Sequence, residues 1–218
     1  MKFSEQQLLL FDFDGVLVDS LELYEKVVRR CLEEIGKPIV KNLDDFLALF
    51  HDNFYQGIVN KGIDLQAYMA AMKGIYPSID LSLIKPHREM ASVLLELAER
   101  HRLMLISSNH EKVIRVLLNK MNVEGCFEAV LGSEAVFSKT EKIAFAQVQC
   151  GVAKERIFYI GDTTGDIREA RRAGVKAIAV TWGWHNRQIL ETVYPDYLID
   201  TPYALLDLFT AETFCNGC

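Results

Sequence analysis

The 218-residue sequence lacks long hydrophobic runs, an excess of basic residues and an even set of cysteines. No segment reaches the ~18 uninterrupted apolar residues that a membrane-spanning helix needs, so we expect no membrane span. The chain has 30 acidic residues against 24 Lys and Arg residues, and its formal net charge of -6 disfavours nonspecific binding to nucleic acid or to anionic membranes. These absences favour a small molecule as the partner.

The five cysteines are scattered along the chain, a pattern that favours reduced thiols over a disulfide framework. The final CNGC has the spacing of a redox pair or of half a zinc site, but no second pair accompanies it, and we interpret it as an inert tail. The N-terminal MKFSEQQ leads into LLLFDF, whose apolar run is too short for a secretory signal. We therefore expect a cytosolic, cytoplasmic protein.

Half of the residues are hydrophobic and a quarter are charged, as in a globular protein with a large core. Short apolar runs of strand length recur at LLLFDF (8–13), LMLIS (103–107), EAVLG (128–132), RIFYIG (156–161), AIAVTW (177–182) and YLI (197–199). Helical periodicities lie between most of these runs. This alternation predicts an α/β fold in which a doubly wound, Rossmann-like parallel sheet is covered by helices on both sides.

The stretch 16–85 breaks this alternation because it contains no strand-like run. Its apolar residues follow helical spacing, as in the runs Tyr24 to Ile35 and Leu43 to Val59. We therefore predict a helical domain, residues 16–85, that is inserted after the first strand. The α/β core then consists of residues 1–15 and 86–218.

Polar side chains stand where three of the predicted strands end: Asp12 and Asp14 at the first, Ser108 and Asn109 after the second, Asp162 and Asp166 after the fourth. The carboxyl ends of strands in an open parallel sheet form the ligand crevice, so these side chains should meet at one site. Four aspartates at one edge repel each other unless their pKa values rise or a divalent cation neutralises them. Hard carboxylate oxygens favour Mg2+ over zinc or copper.

A magnesium ion held by few carboxylates usually keeps open positions and takes a substrate phosphate as a further ligand. One of Asp12 and Asp14 can then attack phosphorus while the other transfers protons. The hydroxyl of Ser108 and the amide of Asn109 suit phosphate oxygens, and Lys139 is positioned to complete the charge balance. The pattern therefore predicts phosphoryl chemistry.

The motifs FDFDGVLVDS, ISSN, SK and IGDTTGD, in this order, resemble the four motifs of the haloacid dehalogenase superfamily. The motifs look specifically like those of its Mg-dependent phosphatases that resemble phosphoglycolate phosphatase, and the helical insert corresponds to the cap domain of that family. The resemblance implies that Asp12 is the nucleophile that becomes phosphorylated and that Asp14 is the general acid and then the base. It also matches Ser108, with Asn109 beside it, to the phosphate-binding hydroxyl.

The same resemblance implies a set of metal ligands. Asp162 matches the acidic Mg2+ ligand, together with the side chain of Asp12 and the backbone carbonyl of Asp14. Asp166 matches a supporting acid that orients bound water. The implied reaction is hydrolysis of a small phosphorylated metabolite through an aspartyl-phosphate.

The third motif departs from the family pattern. Lys139 matches the lysine that steadies the nucleophile and the phosphate, but Thr140 stands where many relatives have proline, and Lys142 lies three residues further on. We favour Lys139 because it opens a helix whose inner stripe includes Ile143 and Ala146.

Alternatives to a phosphatase share this fold. A 2-haloacid dehalogenase would use no metal and would lack the acid at Asp14, which argues against it. A phosphomutase similar to β-phosphoglucomutase would transfer the phosphoryl group to a sugar instead of to water, and a non-catalytic binding or regulatory protein would retain the fold alone. His51, Phe54 and Tyr55 could face the cleft and contact the leaving group, but we interpret the aromatic pair as core of the insert in preference to substrate contacts.

Overall fold

The centre of the fold is a six-stranded parallel sheet. A computed structural model of the chain describes residues 6–135 and 138–209. Its strands in chain order are β1 (Leu8–Phe11), β2 (Val18–Asp19), β3 (Lys85–Pro86), β4 (Arg102–Ile106), β5 (Phe127–Leu131), β6 (Ile157–Gly161), β7 (Lys176–Val180) and β8 (Tyr197–Ile199). Six of them are parallel to their neighbours in the order β5-β4-β1-β6-β7-β8. The six predicted strands are confirmed, with ends that differ by at most two residues.

Helices cover both faces of this sheet, as predicted. The helices are α1 (Leu21–Glu34), α2 (Leu43–Leu47), α3 (Phe54–Asn60), α4 (Leu65–Ile75), α5 (Met90–Ala98), α6 (Glu111–Lys120), α7 (Lys139–Cys150), α8 (Thr164–Ala173), α9 (Arg187–Glu191) and α10 (Tyr203–Phe209). Side chains alternate between the two faces of a strand, and β1 follows this rule. Leu9 and Phe11 pack with α5, α6 and α10, whereas Leu8 and Leu10 pack with α7, α8 and α9.

A third apolar cluster lies among α1 to α4 and includes Val28 and Cys31 of the first of these helices. The sequence predicted one amphipathic stretch from Leu43 to Val59, but the chain forms two separate helices there. Helix α2 ends at Leu47, and α3 begins after Asn53, whose side chain accepts a hydrogen bond from the backbone N–H of Gln56. Asparagine is a favoured N-cap, and this cap starts a new helix.

The prediction that residues 16–85 contain no strand is wrong at both ends of that stretch. Strands β2 and β3 form an antiparallel pair in which Val18 lies opposite Pro86 and Asp19 lies opposite Lys85. Two-residue strands are too short to show any periodicity, so no pattern in the sequence could reveal them. The pairing brings the two connections between the sheet and the α1 to α4 segment side by side.

Across residues 6–135 and 138–209, the structure contains no helix that is both long enough and apolar enough to cross a membrane. The terminal CNGC, interpreted above as an inert tail, lies outside the described residues.

Candidate active site

The predicted site residues meet at the carboxyl edge of the sheet. Strand β1 lies between β4 and β6, so the residues that follow these three strands come together at that edge. A cavity of about 520 Å³ opens there. All seven predicted residues line it, namely Asp12, Asp14, Ser108, Asn109, Lys139, Asp162 and Asp166.

Asp12 follows β1 and is almost completely buried. Its Oδ2 atom accepts a hydrogen bond from Nζ of Lys139 at 2.6 Å, and its Oδ1 atom accepts one from the backbone N–H of Phe13 at 2.7 Å. Burial raises the pKa of Asp12 to about 7, while the nearby charge of Lys139 opposes that rise. The lysine therefore favours the ionised form of a carboxylate that burial alone would protonate.

Lys139 is the first residue of α7, and Ser138 caps this helix by accepting from the backbone N–H of Glu141. Its Nζ atom also lies 2.5 Å from Oδ1 of Asp166. Burial acts to lower the pKa of Lys139, but the two carboxylates outweigh burial and raise it well above its usual value. Lys139 is therefore charged in the folded protein.

Lys142, the alternative to Lys139 in the third motif, makes a different contact. Its Nζ atom donates to the backbone carbonyl of Ser107 at 2.6 Å, and the side chain is buried. The geometry therefore assigns the contact with Asp12 to Lys139, and it ties Lys142 to the loop that follows β4.

Asp14 reaches the same cavity through the turn that begins at Gly15, whose φ of 79° lies in the left-handed region. The Oδ1 atom of Asp14 accepts from the hydroxyl of Ser20 at 2.7 Å, and Oδ2 accepts from the side-chain amide of Asn109 at 3.0 Å. Burial raises the pKa of Asp14 to about 6, although these two hydrogen bonds oppose the rise. The carboxyl group can therefore exchange a proton near neutral pH. Sequence reasoning missed Ser20.

Three buried carboxylates lie close enough to hold a metal ion. Asp12, Asp162 and Asp166 each offer one oxygen atom, and these atoms lie within 4.8 Å of one another. Both oxygens of Asp166 already have partners, because Oδ1 faces Lys139 and Oδ2 accepts from the backbone N–H and the hydroxyl of Thr163. Asp166 therefore holds its neighbours in place and has less capacity to bind a metal directly.

Asp162 is the member of this cluster that has an unsatisfied carboxylate oxygen among the described residues. Its Oδ2 atom accepts from the backbone N–H of Trp184 at 2.7 Å, but Oδ1 is buried and has no hydrogen-bond partner among the described residues. Burial raises its pKa well above the usual value, and the charges of Asp166 and Asp12 add to the rise. A buried carboxylate oxygen without a partner is unfavourable, and a hard divalent cation would satisfy it. The residues present therefore fit a divalent metal such as Mg2+.

Two glycines make room for Asp162. A Cβ atom on Gly15 would lie 2.0 Å from Oδ2 of Asp162, and one on Gly183 would lie 2.5 Å from the same atom. Any larger residue at either position would displace the carboxylate.

Sequence reasoning missed most of the cavity wall that the α1 to α4 segment provides. That wall includes Tyr24, Val28, Phe54, Tyr55, Tyr68, Met69, Met72 and Tyr76. The interpretation of Phe54 and Tyr55 as core is incomplete, because both belong to the third apolar cluster and also line the cavity. The only signal in the sequence was helical spacing, which does not separate a core face from a ligand face.

Two tyrosines of this wall contact the loop after β4. The hydroxyl of Tyr55 donates to the backbone carbonyl of Ser108 at 3.0 Å, and the hydroxyl of Tyr76 donates to Oδ1 of Asn109 at 2.6 Å. Asn109 thus connects Tyr76 to Asp14. The helical segment therefore helps to position the loop that carries Ser108 and Asn109.

Comparison with known proteins identifies the family. The model of the haloacid dehalogenase-like hydrolases matches residues 9–180, and the chain belongs to this family. The chain is 28% identical over 213 residues to phosphoglycolate phosphatase of Synechococcus elongatus, covering 94% of this chain and 97% of that protein. It is 23% identical over 210 residues to phosphoglycolate phosphatase of Aquifex aeolicus, covering 93% and 96% of the two chains.

Solved structures agree with this fold. A haloacid dehalogenase-like family hydrolase from Streptococcus pneumoniae has a TM-score of 0.77 at 20% identity, covering 94% of this chain and 99% of that chain. A hydrolase from Pseudomonas syringae has a TM-score of 0.78 at 16% identity, and the match covers 93% of this chain and 97% of that chain. Family membership and the named relatives together support a phosphatase, an enzyme that hydrolyses phosphoric monoesters.

Proposed function

We propose that this protein is a Mg2+-dependent phosphatase that hydrolyses a small phosphorylated metabolite through an aspartyl-phosphate on Asp12. The proposal rests on the buried ion pair of Asp12 and Lys139. This pair lies beside the Oδ1 atom of Asp162, which has no hydrogen-bond partner among the described residues. A nucleophile, a fixed positive charge and an unsatisfied metal ligand then share one cavity.

In the first step, the carboxylate of Asp12 attacks phosphorus, a bond between Asp12 and phosphorus forms, and the bond to the leaving oxygen breaks. Asp14 donates its proton to that oxygen, and its pKa of about 6 suits this transfer near neutral pH. Lys139 stabilises the charge on the transferred group. In the second step, Asp14 takes a proton from a water molecule whose oxygen bonds to phosphorus, the bond between phosphorus and Asp12 breaks, and inorganic phosphate leaves the regenerated carboxylate.

A magnesium ion held by the side chains of Asp12 and Asp162 and the carbonyl of Asp14 would supply positive charge to the phosphate oxygens. Ser108 lines the cavity, and we assign its hydroxyl to binding the phosphate. The side-chain amide of Asn109 donates one hydrogen bond to Asp14, so we assign Asn109 a role toward the acid in addition to the phosphate contact that its side chain suggested. Asn109 is therefore a positioning residue for the acid.

Residues 16–85 are proposed to form a cap over this site. The segment between α2 and α3 contacts α8, because the hydroxyl of Thr164 donates to the carbonyl of His51 at 3.1 Å and Arg172 forms an ion pair with Asp52. Together with the contact between Tyr55 and Ser108, these bonds hold the helices over the aspartates. Such a cover limits the access of bulk water to the reacting group.

The test is phosphate release from p-nitrophenyl phosphate with Mg2+ or with EDTA. We expect Mg2+-dependent turnover that EDTA abolishes and that Asp12→Asn reduces to background. Asp14→Asn should accumulate a phosphoenzyme, because the nitrophenolate leaves without a proton whereas the attacking water needs a base. Mass spectrometry of the intact, acid-quenched protein would detect it.

The control is Asp44→Asn, which changes an exposed aspartate of α2 and should leave turnover unchanged. Turnover that persists in Asp12→Asn, or that does not depend on a divalent metal, would contradict the proposal.

A further inference from the structure

The cavity extends well beyond the aspartates. Its volume of about 520 Å³ lies in the range that holds a drug-sized molecule. The wall supplied by the helical segment is aromatic and thioether-rich, with Tyr24, Val28, Phe54, Tyr68, Met69 and Met72. Aromatic rings and methionine sulfur pack well against flat apolar groups. The part of the cavity next to the phosphoryl site therefore suits a ring.

The charges around the cavity disfavour a second anionic group on the substrate. Among the described residues, seven acidic side chains and two lysines line it. Lys139 is already paired with Asp12 and Asp166, and Lys73 lies at the rim, exposed to solvent. A substrate carboxylate in the apolar part would be desolvated without a buried cation to neutralise it.

Besides the hydroxyl of Tyr24, which lies near the side chains of Asn109 and Tyr76, two buried hydrogen-bond donors in the wall have no hydrogen-bond partner among the described residues. Tyr68 is 1% exposed, and its hydroxyl has no hydrogen-bond partner among the described residues. The indole N–H of Trp184, which also lines the cavity, is likewise buried and unpaired within the described part of the chain. An indole N–H can only donate, so a ligand that satisfies it must offer an acceptor.

We infer that the leaving group is an uncharged, ring-containing alcohol that carries a hydrogen-bond acceptor, and that it is larger than a two-carbon acid. The inference rests on the phosphatase function proposed above, since the ring occupies the space beside the phosphoryl site. It separates this protein from what the names of its phosphoglycolate phosphatase relatives suggest. The acceptor of the ring would engage Tyr68 or Trp184.

The experiment compares phosphomonoesters of primary alcohols at saturating Mg2+: phosphoglycolate, ethyl phosphate, benzyl phosphate and 3-pyridylmethyl phosphate, with p-nitrophenyl phosphate as a general substrate. We expect kcat/KM for benzyl phosphate to exceed those for phosphoglycolate and ethyl phosphate by about tenfold or more, because the ring is buried. The pyridine nitrogen should raise kcat/KM by about a further fivefold through one hydrogen bond.

The donors are tested with Tyr68→Phe, which removes only the hydroxyl, and Trp184→Phe, which removes the indole N–H. At least one of these substitutions should abolish the increase in kcat/KM for 3-pyridylmethyl phosphate over benzyl phosphate. Persistence of the gain in the double variant, or absence of the gain in the wild type, would overturn the assignment of these donors.

Turnover of phosphoglycolate that equals or exceeds that of benzyl phosphate would overturn the inference, and Lys73→Met would then show whether the rim lysine binds the acid. That result leaves the proposed function intact, because p-nitrophenyl phosphate would still be hydrolysed. Absence of Mg2+-dependent turnover of every ester would instead overturn the proposed function and this inference with it.

Discussion

The Nζ atom of Lys139 lies 2.6 Å from Oδ2 of Asp12, across 127 positions of sequence. The two side chains are only 10% and 8% exposed. Burial raises the pKa of Asp12, and the ammonium group opposes this shift. The pair therefore couples the proposed nucleophile to a charge that favours its ionised form.

Lys139→Met should lower kcat/KM by about 10²-fold or more, because it removes the fixed charge beside the nucleophile and the transferred group. Steady-state hydrolysis of p-nitrophenyl phosphate with Mg2+ measures the effect. Lys120→Met changes an exposed lysine of α6 and serves as the control. A Lys139→Met enzyme that folds and retains wild-type kinetics would refute this role of the lysine.

Lys142→Met should change how stability depends on pH. Burial lowers the pKa of Lys142 to about 8, and the charge of Lys139 adds to the shift. The unfolded chain, with its higher pKa, binds the proton more strongly, so the contribution of Lys142 to stability rises as pH increases from about 8 to about 10.5.

The free energy of unfolding of the wild type, relative to Lys142→Met, should therefore increase over that window by up to ~1.4 kcal/mol per pH unit. Urea denaturation at several pH values measures this difference. A constant difference between the two proteins would show that the lysine does not titrate as the burial of its side chain implies.

His101 should make the protein less stable in acid. The Nδ1 atom of His101 accepts from the backbone N–H of Gln7 at 3.2 Å, so the proton sits on Nε2, which faces the carbonyl of Phe209 at 3.1 Å. Burial lowers the pKa of this histidine. Because the unfolded state then binds the proton more strongly, stability is lost as pH falls below about 6.5.

We expect His101→Gln to reduce this loss by at most ~1.4 kcal/mol per pH unit, the limit for one titrating group. Thermal or urea unfolding between neutral and mildly acidic pH gives the comparison. The exposed His51, changed to Gln, is the control. Identical acid dependence of the wild type and His101→Gln would contradict the assignment.

Gly165→Ala should disturb the contact between α8 and the segment that joins α2 to α3. A Cβ atom on Gly165 would lie 2.4 Å from the carbonyl oxygen of Asp52 and 2.8 Å from that of Phe50. The backbone must shift to relieve these contacts, which should cost ~1–3 kcal/mol of stability. Because Phe50 and Asp52 line the cavity, kcat/KM should also fall by about tenfold or more.

Gly74→Ala is a matched control, because a Cβ atom at Gly74 in α4 would lie more than 4 Å from every described atom outside the adjacent backbone of its own helix. It should leave the kinetics unchanged and stabilise the helix by ~0.5–1 kcal/mol. If Gly165→Ala and Gly74→Ala behave alike, the close approach at Gly165 has no functional consequence.

The sequence predicted local features best where a physical constraint acts on neighbouring residues. The apolar run before Asp12 predicted a buried strand, and β1 is fully buried on both faces. The same logic placed Asp162 at the end of another strand, and the two acids meet because both strands are parallel to one another in the sheet. The preference for Lys139 over Lys142 agrees with the geometry, although both lysines are buried.

The sequence could not predict contacts between distant elements. The motif that contains Asp14 does not indicate that the side chains of Ser20 and Asn109 donate hydrogen bonds to the two carboxylate oxygens of Asp14. The break in the stretch from Leu43 to Val59 depends on one cap, and the pairing of β2 with β3 depends on two residues in each strand.

The sequence by itself determined the alternation of strands and helices, the clustering of acids at one sheet edge and the resemblance to one family. These features follow from the periodicity of apolar residues and from the identity of side chains at strand ends. Only the tertiary structure decided which side of each insert helix lines the cavity and which polar atoms remain unpaired. Those properties depend on how helices pack across space, and helical spacing alone is the same for a core face and a binding face.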